Sequence, residues 1–250
     1  MRLGAVAVLL AALLLSACRD GGETRYRHDF ADGHGGWGTS RTLLTAAELP
    51  ASYRTCWVSW LSLYACNIDA PVQNGRMQLT SPWWLDPNHA PPGAGYLSLI
   101  TWVYLDGPAG SSTFGKPTLD LTGTTLEVAL RAPDLELAGG RLMFFFNTSM
   151  PGGKYANYAY SRTPIDAKLR PGDRDLTLVE IKLSSDADAW TCLGTSDVKS
   201  DLYACVDVTQ AMRAIDNAFG FMILPVSDSP LPEDQPSGHI EIQSVELVRR

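Results

Sequence analysis

The sequence lacks the short motifs that mark the common catalytic centres. It has no G-x-S-x-G turn for a nucleophilic serine, and its four histidines form no H-E-x-x-H zinc pair. It also lacks a dense Glu-x-Asp-x-x-Glu strand, although a glycan-cleaving enzyme needs two carboxyl groups placed across a sugar bond. The acidic segments DLELAGG and EIKLSSDADAW are typical of a turn and of a strand entering a polar loop, so their carboxylates are expected to be solvated. These absences favour a binding protein over an enzyme.

Basic residues are also few, and they form no cluster. The chain has 20 Lys and Arg against 27 Asp and Glu, and removal of a leader that contains Arg2 leaves a net charge of −8. Phosphate backbones are bound by clustered positive charge, which this chain does not have. Nucleic acid is therefore not expected to be a partner of this protein.

The N-terminus has the pattern of an export signal. Arg2 precedes an apolar run from Leu3 to Leu15, which is too short to span a membrane as a mature helix. The following Leu15-Ser16-Ala17-Cys18 resembles the lipobox of bacterial lipoproteins. The resemblance implies that residues 1–17 are a signal peptide and that Cys18 is acylated, which anchors the protein to a membrane. Arg19 after the cysteine implies the outer membrane of the bacterial cell envelope.

Four further cysteines remain, which in an exported chain indicates disulfides and allows three pairings. The segments TCWVSWLSLYAC and TCLGTSDVKSDLYAC share the flanks Thr-Cys and Leu-Tyr-Ala-Cys. This similarity favours the pairs Cys56 with Cys66 and Cys192 with Cys205, each stabilising the fold by about 2 to 3 kcal/mol. A four-cysteine zinc site is the alternative, but the spacing includes no C-x2-C pair.

The rest of the chain predicts one all-β domain over residues 28–250, after a polar tether over residues 18–27. Short alternating segments separated by Gly, Pro, Asp and Asn clusters predict a two-sheet antiparallel β-sandwich. Only Asp207 to Asn217 has helical spacing, with Asp207 or Thr209 as its cap. The inward residues are predicted to be Leu126, Val128 and Leu130, then Val179, Ile181 and Leu183. In GYLSLITWVYL, one face is predicted to carry Leu97, Leu99, Thr101, Val103 and Leu105, and the other Ile100, Trp102 and Tyr104.

Both ends of this domain resemble carbohydrate-binding-module and galactose-binding-like jelly rolls. The opening HDFADGHGGWGTS supplies Phe30, Asp32, Gly33, Gly36 and Trp37, and the closing SGHIEIQSVELVRR supplies Ile240, Ile242, Val245 and Leu247. The resemblance implies a jelly roll in which an opening strand that bears the first motif lies beside the closing strand. Some relatives hold a structural calcium near these ends. Here Asp29, Asp32 and Glu241 are the candidate ligands, but Gln243 stands where a second acid would help, so no cofactor or metal is expected.

Aromatic residues interleaved with polar ones give the main functional signal. Sugar rings stack on Trp and Tyr, and their hydroxyl groups bond to amides, carboxylates and guanidinium groups, so a glycan site combines the two. Two segments fit this pattern, and the candidate ligand-binding residues are Trp83, Trp84, Asp86, His89, Trp102, Tyr104, Asn147, Tyr155, Asn157, Tyr158, Tyr160 and Arg162. Because adjacent side chains of an extended segment point to opposite sides, one of Trp83 and Trp84 is expected to fill the core and the other to line a groove with Trp102. The alternative is that these rings are simply large core or rim residues.

These features predict a membrane-anchored envelope lipoprotein with a non-catalytic glycan-binding sandwich. One alternative is a polysaccharide lyase or glycoside hydrolase, with Asp86 and His89, or Arg162 and Tyr160, as catalysts. Another is a purely structural or protein-binding lipoprotein. Polysaccharide and the membrane are the expected partners.

Overall fold

The computed structural model describes residues 23–43, 53–58, 64–86, 91, 96–105, 118–170, 172, 174–194, 202–226 and 235–250, with the backbone alone at 41–43, 53–58, 64–66 and 226. These residues are mostly β-strand. The strands are β1 (Glu23–His28), β2 (Trp37–Leu43), β3 (Tyr53–Val58), β4 (Tyr64–Asp69), β5 (Val72–Gln73), β6 (Arg76–Thr80), β7 (Trp84–Asp86), β8 (Tyr96–Tyr104), β9 (Thr124–Arg131), β10 (Arg141–Met150), β11 (Lys154–Tyr160), β12 (Thr177–Lys182), β13 (Trp190–Cys192), β14 (Ala218–Val226) and β15 (His239–Arg249).

The strands form two antiparallel sheets. The six-stranded sheet has the order β12-β9-β15-β6-β5, with β1 also paired to β15. The nine-stranded sheet has the order β13-β11-β10-β14-β8-β2-β4-β3, with β7 also paired to β8. The predicted fold class, an antiparallel β-sandwich with one short helix, is confirmed.

The main core lies between the two sheets. The inward residues predicted for β9 and β12 are all buried there, because strand alternation points every second side chain to one face. Rings from the nine-stranded sheet fill the centre, where Trp37 stacks on Phe221 with centroids 5.9 Å apart and meets Phe219 edge-on. The Trp37 indole also donates a hydrogen bond of 2.6 Å to the hydroxyl of Tyr26, and burial raises the pKa of that phenol. Each such ring contributes about 1.5 to 3 kcal/mol by leaving water.

The first strand begins earlier than the sequence predicts. Residues 23–27, assigned above to the tether, lie in β1, which pairs with the closing strand β15 from Glu23 opposite Arg249 to His28 opposite Val245. The opening motif follows this strand as a turn into β2. Phe30 adopts a left-handed φ of 56°, Gly36 has a φ of 85°, and the Phe30 ring is buried against Trp37. The sequence predicted that the opening strand bears this motif. The motif instead forms the turn from β1 into β2 and so connects the two sheets.

The register of β8 contains a β-bulge. On the neighbouring β14, Phe221 lies opposite Thr101 and Met222 lies opposite Leu99, so Ile100 is an extra residue on β8. The alternation of side chains changes phase at this point. Ile100 and Thr101 both belong to the inner side, where Ile100 is fully buried in the main core.

The bulge corrects the predicted faces of this strand. Leu97 and Leu99 were expected on the same face as Val103 and Leu105, but they pack on the opposite side with Trp102. Val103 and Leu105 belong to the main core. The sequence of β8 does not reveal the extra residue, because the positions before Ile100 and the positions after it each alternate correctly by themselves.

Helix α1 (Val208–Met212) is shorter than the predicted segment. Asp207 caps it, as one of the two predicted candidates, by accepting hydrogen bonds from the backbone N–H groups of Thr209 and Gln210. After the helix, Ile215 pairs with Leu119 in an isolated antiparallel bridge. Throughout the part of the chain with described coordinates, no helix has the length and apolarity needed to cross a membrane.

One of the two predicted disulfides is confirmed. Cys192 and Cys205 are bonded, with a sequence separation of 13. Cys56 lies directly opposite Cys66 in the β3–β4 ladder, but both side chains lie outside the described residues. Within the described ranges, no three metal-ligating side chains come together.

The outer face of the six-stranded sheet is covered by ion pairs. Glu241 accepts hydrogen bonds from Arg131 at 2.7 Å and Arg76 at 3.1 Å, one on each carboxylate oxygen. The Arg131 bond is the main reason that the pKa of Glu241 lies at about 2. Glu127, only 1% exposed, accepts a hydrogen bond from Arg250 on one of its carboxylate oxygens. Both oxygens of Glu241 accept hydrogen bonds from guanidinium groups. This arrangement does not fit the role of calcium ligand that the sequence suggested for Glu241.

Candidate functional site

The outer face of the nine-stranded sheet carries a second apolar cluster, separate from the main core. Its members come from outward positions of β8, β10, β11 and β14 and from the residue after β13. They are Leu97, Leu99, Trp102, Met143, Phe145, Ala159, Leu193, Met222 and Leu224. A sheet face that is apolar on the side away from its partner sheet must be covered by other parts of the chain or by another molecule.

A cavity of about 300 Å³ opens above this cluster. Its floor is apolar, its sides are aromatic and its remaining lining is polar and mostly neutral. The lining residues are Ser40, Asn67, Trp84, Asp86, Leu97, Leu99, Trp102, Tyr104, Phe145, Asn147, Tyr155, Asn157, Tyr203, Asn217, Ala218 and Met222. The volume lies at the lower end of the range usual for small-ligand sites.

Trp102 lies on the floor between two glycines. In the sheet register, Gly38 of β2 faces it on one side and Gly220 of β14 on the other. A Cβ on Gly38 would lie 3.6 Å from the indole ring, and one on Gly220 would lie 2.1 Å from the carbonyl oxygen of Thr101. Glycine at position 220 therefore lets β14 lie close to the backbone of β8, and the Trp102 side chain beside it is 4% exposed.

Tyr203 forms a wall of the cavity and is held by the disulfide loop. Its neighbours Leu202 and Ala204 bond to the backbone of Tyr155, with distances of 2.8 and 2.9 Å. The Tyr203 ring lies against Gly194, where a Cβ would come within 2.7 Å, and its centroid is 6.0 Å from that of Tyr155. The Cys192–Cys205 bond closes the loop that carries this ring.

Three buried polar atoms that border the cavity have no hydrogen-bond partner among the described residues. They are the Ser40 hydroxyl, the Trp102 indole nitrogen and the Asn157 side-chain oxygen. Each unsatisfied buried group costs about 1 to 3 kcal/mol, and such groups are rare in folded proteins. These three are one donor, one acceptor and one hydroxyl that can do both; the Nε atoms of Arg25 and Arg131, on the other sheet, are also buried without a partner among the described residues.

Amide groups at the rim are held in place by their own hydrogen bonds. Asn217, the residue before β14, donates to the side-chain oxygen of Asn147 on the neighbouring strand β10 at 2.6 Å. Asp216 fixes the same corner by accepting from the hydroxyl of Thr148 and the backbone N–H of Ser149. A rim built in this way presents amides in one geometry, so a ligand loses little free energy in ordering them.

The cavity brings together seven of the twelve residues singled out from the sequence: Trp84, Asp86, Trp102, Tyr104, Asn147, Tyr155 and Asn157. They come from both predicted segments, which meet because β8 and β10 both pair with β14. Trp83 lies in the main core and Trp84 lines the cavity beside Trp102, in line with the alternation expected for adjacent residues. His89 lies outside the described residues.

Three predicted residues belong elsewhere. Tyr158 and Tyr160 point into the main core, and their hydroxyl groups donate to the backbone carbonyls of Val206 and Lys182. Burial is the largest cause of the raised pKa of Tyr158. Arg162 is bound to two aspartates on the sandwich edge, at 2.8 and 2.6 Å, and does not border this cavity. On β11 the sequence predicted all the tyrosines to serve the site, but alternation directs only Tyr155 outward.

Sequence reasoning missed Ser40, Asn67, Tyr203 and Asn217, together with most of the apolar floor. Tyr203 stands in the Leu-Tyr-Ala-Cys flank that suggested the disulfide pairing, so the loop closure itself was the available signal. Ser40 and Asn67 lie on β2 and β4, which reach the cavity only through the strand order of the sheet. A single sequence does not specify that order.

No family model matches the chain, and neither does any curated protein. Among solved structures, one described as "xylan-binding module CBM15" aligns over 92% of this chain and 97% of its own, with 9% sequence identity and a TM-score of 0.34. A likeness this distant carries no functional argument. The functional conclusion therefore depends on the chemistry of the cavity.

Proposed function

We propose that this protein binds a glycan in the cavity on the outer face of the nine-stranded sheet and does not cleave it. A sugar offers apolar C–H faces together with hydroxyl groups that donate and accept. The cavity offers aromatic rings at Trp84, Trp102 and Tyr104 beside amides at Asn147 and Asn157. This mixture of apolar walls and fixed polar groups suits a polyhydroxylated ring better than a purely apolar or a charged ligand.

The observation that carries the proposal is the set of unpartnered polar atoms at Ser40, Trp102 and Asn157. A ligand rich in hydroxyl groups can supply a donor and an acceptor at once, if these buried groups turn toward the cavity when it binds.

The rings form a cavity, not a flat platform. Trp84 is 8% exposed and Trp102 is 4% exposed, while Tyr104 at the rim is 39% exposed. Flat crystalline polymer faces require several coplanar exposed rings, so the arrangement favours soluble glycan chains. Tyr104 meets Trp102 edge-on, with centroids 6.3 Å apart, and so gives the rim a second ring orientation.

A non-catalytic role is supported by the acids around the cavity. Asp86 is the one carboxylate among the described lining residues. Hydrolysis of a glycosidic bond by the common mechanisms uses two carboxyl groups about 5 to 9.5 Å apart. The alternative catalytic pair of Arg162 and Tyr160 does not line this cavity but borders a separate pocket at the sandwich edge.

The proposal includes a lipid anchor at Cys18, which lies outside the described residues. It is supported by the apolar run that ends at Leu15, three residues before this cysteine, and four residues separate the cysteine from the start of β1. So short a tether, at most about 3.5 Å per residue, would hold the sandwich close to the membrane surface. Export also agrees with the Cys192–Cys205 disulfide, since such bonds persist outside the reducing cytoplasm.

Binding is tested by retention on a panel of soluble polysaccharides, followed by calorimetric titration of any glycan that is retained. Tyr104→Ala removes an exposed ring from the rim, and we expect the affinity to fall roughly tenfold, as for an interface anchor. Leu178→Ala is the matched control, because Leu178 is 50% exposed on the outer face of the other sheet. It should bind like the wild type.

Two results would count against glycan binding. One is a wild-type protein that no polysaccharide in the panel retains. The other is equal loss of affinity in the Tyr104 and Leu178 variants, which would place the binding surface elsewhere. The lipid anchor is tested separately, by whether Cys18→Ser moves the protein from the detergent-extracted membrane fraction to the soluble fraction of a bacterial host.

A further inference from the structure

We infer that the cavity prefers saccharides that carry acetyl groups, and that an apolar row of side chains on its floor recognises the acetyl methyl. The inference rests on the proposed function and extends it to the class of sugar. An N-acetyl or O-acetyl group combines a methyl group with a carbonyl oxygen that accepts hydrogen bonds. The preferred ligand therefore has a partly apolar substituent where an ordinary sugar has a hydroxyl group.

The sheet register arranges the cavity lining in rows that cross the strands, because residues directly opposite each other in an antiparallel pair point to the same face. One of these, the polar row, holds Tyr104 of β8, Ala218 of β14, Asn147 of β10 and Asn157 of β11, each opposite the next. All four residues line the cavity. The polar row can supply amide groups to the hydroxyl groups along one edge of a bound sugar.

The middle row lies two residues farther along these strands, a distance of about 6.6 Å. Trp102 of β8 faces Gly220 of β14, and Gly220 faces Phe145 of β10. The C–H face of a sugar stacks on a flat ring such as that of Trp102. A sugar ring in this position has the polar row at one edge and the remaining part of the floor at the other.

The apolar row forms that remaining part. Leu99 of β8 lies opposite Trp84 of β7 on one side and opposite Met222 of β14 on the other, and all three line the cavity. Asp86 follows one row farther along β7, opposite Leu97. The aliphatic side chain of Leu99 forms no hydrogen bond, so a hydroxyl group placed against it loses water without gaining a partner. A methyl group in the same place is stabilised by leaving water.

A hydrogen-bond donor lies on the same side of the middle row. Gly38 and Thr39 of β2 pair with Trp102 and Thr101 of β8, so the next residue, Ser40, is displaced from Trp102 toward the apolar row. Ser40 lines the cavity, and its buried hydroxyl has no partner among the described residues. An acetyl group can place its methyl on the apolar row and accept from this hydroxyl, if the hydroxyl turns toward the cavity.

The test compares ligands that differ in one substituent. Chitin oligosaccharides are titrated against the wild-type protein beside cellulose oligosaccharides of equal length, which have the same linkage and carry a hydroxyl group in place of each acetamido group. N-acetylgalactosamine and N-acetylmannosamine are compared with galactose and mannose in the same way. Any O-acetylated polysaccharide that is retained is titrated before and after alkaline removal of its acetyl groups. In each pair that binds, we expect the acetylated form to bind at least about tenfold more tightly.

Leu99→Asn keeps the approximate size of the side chain and makes the apolar row polar. We expect this variant to bind the acetylated and unacetylated forms within about threefold of each other. Leu178→Asn is the matched control, because Leu178 is 50% exposed on the outer face of the other sheet, and it should keep the wild-type preference. If Leu99→Asn does not fold, Leu99→Ala takes its place, since it removes most of the apolar contact without adding a polar group.

The outcomes separate the two proposals. Wild-type protein that binds the unacetylated member of a pair as tightly as the acetylated one, or that binds only glycans without acetyl groups, overturns the acetyl preference and leaves glycan binding intact. A folded Leu99 variant that keeps the full preference overturns the role of the apolar row. If none of these ligands and no polysaccharide of the wider panel binds, the proposed function fails and the acetyl preference fails with it.

Discussion

The two outer faces of the sandwich differ in how far the protein itself satisfies them. On the six-stranded sheet, Glu241 and Glu127 are each held by arginines, and the face is closed by charge pairs. On the nine-stranded sheet, an apolar cluster lies under a cavity bordered by polar atoms that have no partner in the described structure. Charge pairs cover one face, although the Nε atom of Arg131 there has no hydrogen-bond partner among the described residues, and the other face carries the cavity to which we assign the ligand.

This difference separates stability from function within a single fold. Residues of the ion-paired face should affect the free energy of unfolding and leave binding unchanged. The unpartnered groups around the cavity should affect binding, and they should lower the free energy of unfolding of the free protein, because a buried polar group without a hydrogen bond destabilises the fold. Mutations can therefore test the comparison one face at a time.

The largest effect is expected from the bond that holds the cavity wall. Replacing Cys192 and Cys205 by serine should lower the free energy of unfolding by about 3 kcal/mol, because it frees a loop with a sequence separation of 13. It should also weaken glycan binding, since Tyr203 loses its fixed position. Urea unfolding and calorimetric titration measure the two effects. Unchanged affinity in a folded variant would show that Tyr203 is not part of the site.

A pair of neighbours on β2 gives the sharpest contrast between the interior and the outer face. Thr39 faces inward and donates a hydrogen bond of 2.6 Å to the carbonyl of Ile100, so Thr39→Val should lower the free energy of unfolding by about 1 kcal/mol and leave binding intact. Ser40 faces outward and its buried hydroxyl has no partner, so Ser40→Ala should weaken binding and raise the free energy of unfolding by about 1 kcal/mol. Weaker binding by Thr39→Val, or unchanged binding by Ser40→Ala, would contradict the division between the interior and the outer face.

The smallest effect concerns pH and the ion-paired face. Pairing with Arg131 and Arg76 holds the pKa of Glu241 at about 2 in the folded state, below its ordinary value of 4.5. This pairing stabilises the fold above about pH 4.5, and its contribution is lost as the pH falls toward 2. Wild-type protein should lose more stability than Glu241→Gln over this range, as measured by urea midpoints. Equal losses would show that the pairing adds nothing.

The sequence predicted the fold class because strand alternation and turn residues are local signals. The inward faces of β9 and β12, the cap at Asp207 and the pairing of Cys192 with Cys205 all depend on neighbours a few residues away. The bulge at Ile100 could not be predicted from such local signals, because the extra residue is evident only when β8 is aligned with β14. For the same reason, Leu97 and Leu99 were assigned to the wrong face.

The candidate site was predictable only in part. Aromatic and amide residues close together in the sequence indicated Trp84, Asp86 and Trp102, which lie on the paired strands β7 and β8. Ser40 and Asn217 reach the cavity from strands and turns distant in sequence, through a strand order that no local pattern determines. Tyr160 was included because it is aromatic, although its position on β11 directs it into the core.

The central claim is that a glycan occupies the cavity above Trp102, and the indole N–H resonances of the tryptophans test it most directly. The Trp102 indole nitrogen has no partner in the described structure, whereas that of Trp37 donates to Tyr26 inside the core. Titration of ¹⁵N-labelled protein with a retained glycan should shift the Trp102 signal and leave the Trp37 signal in place. A saturating glycan that leaves the Trp102 signal unmoved would contradict the account.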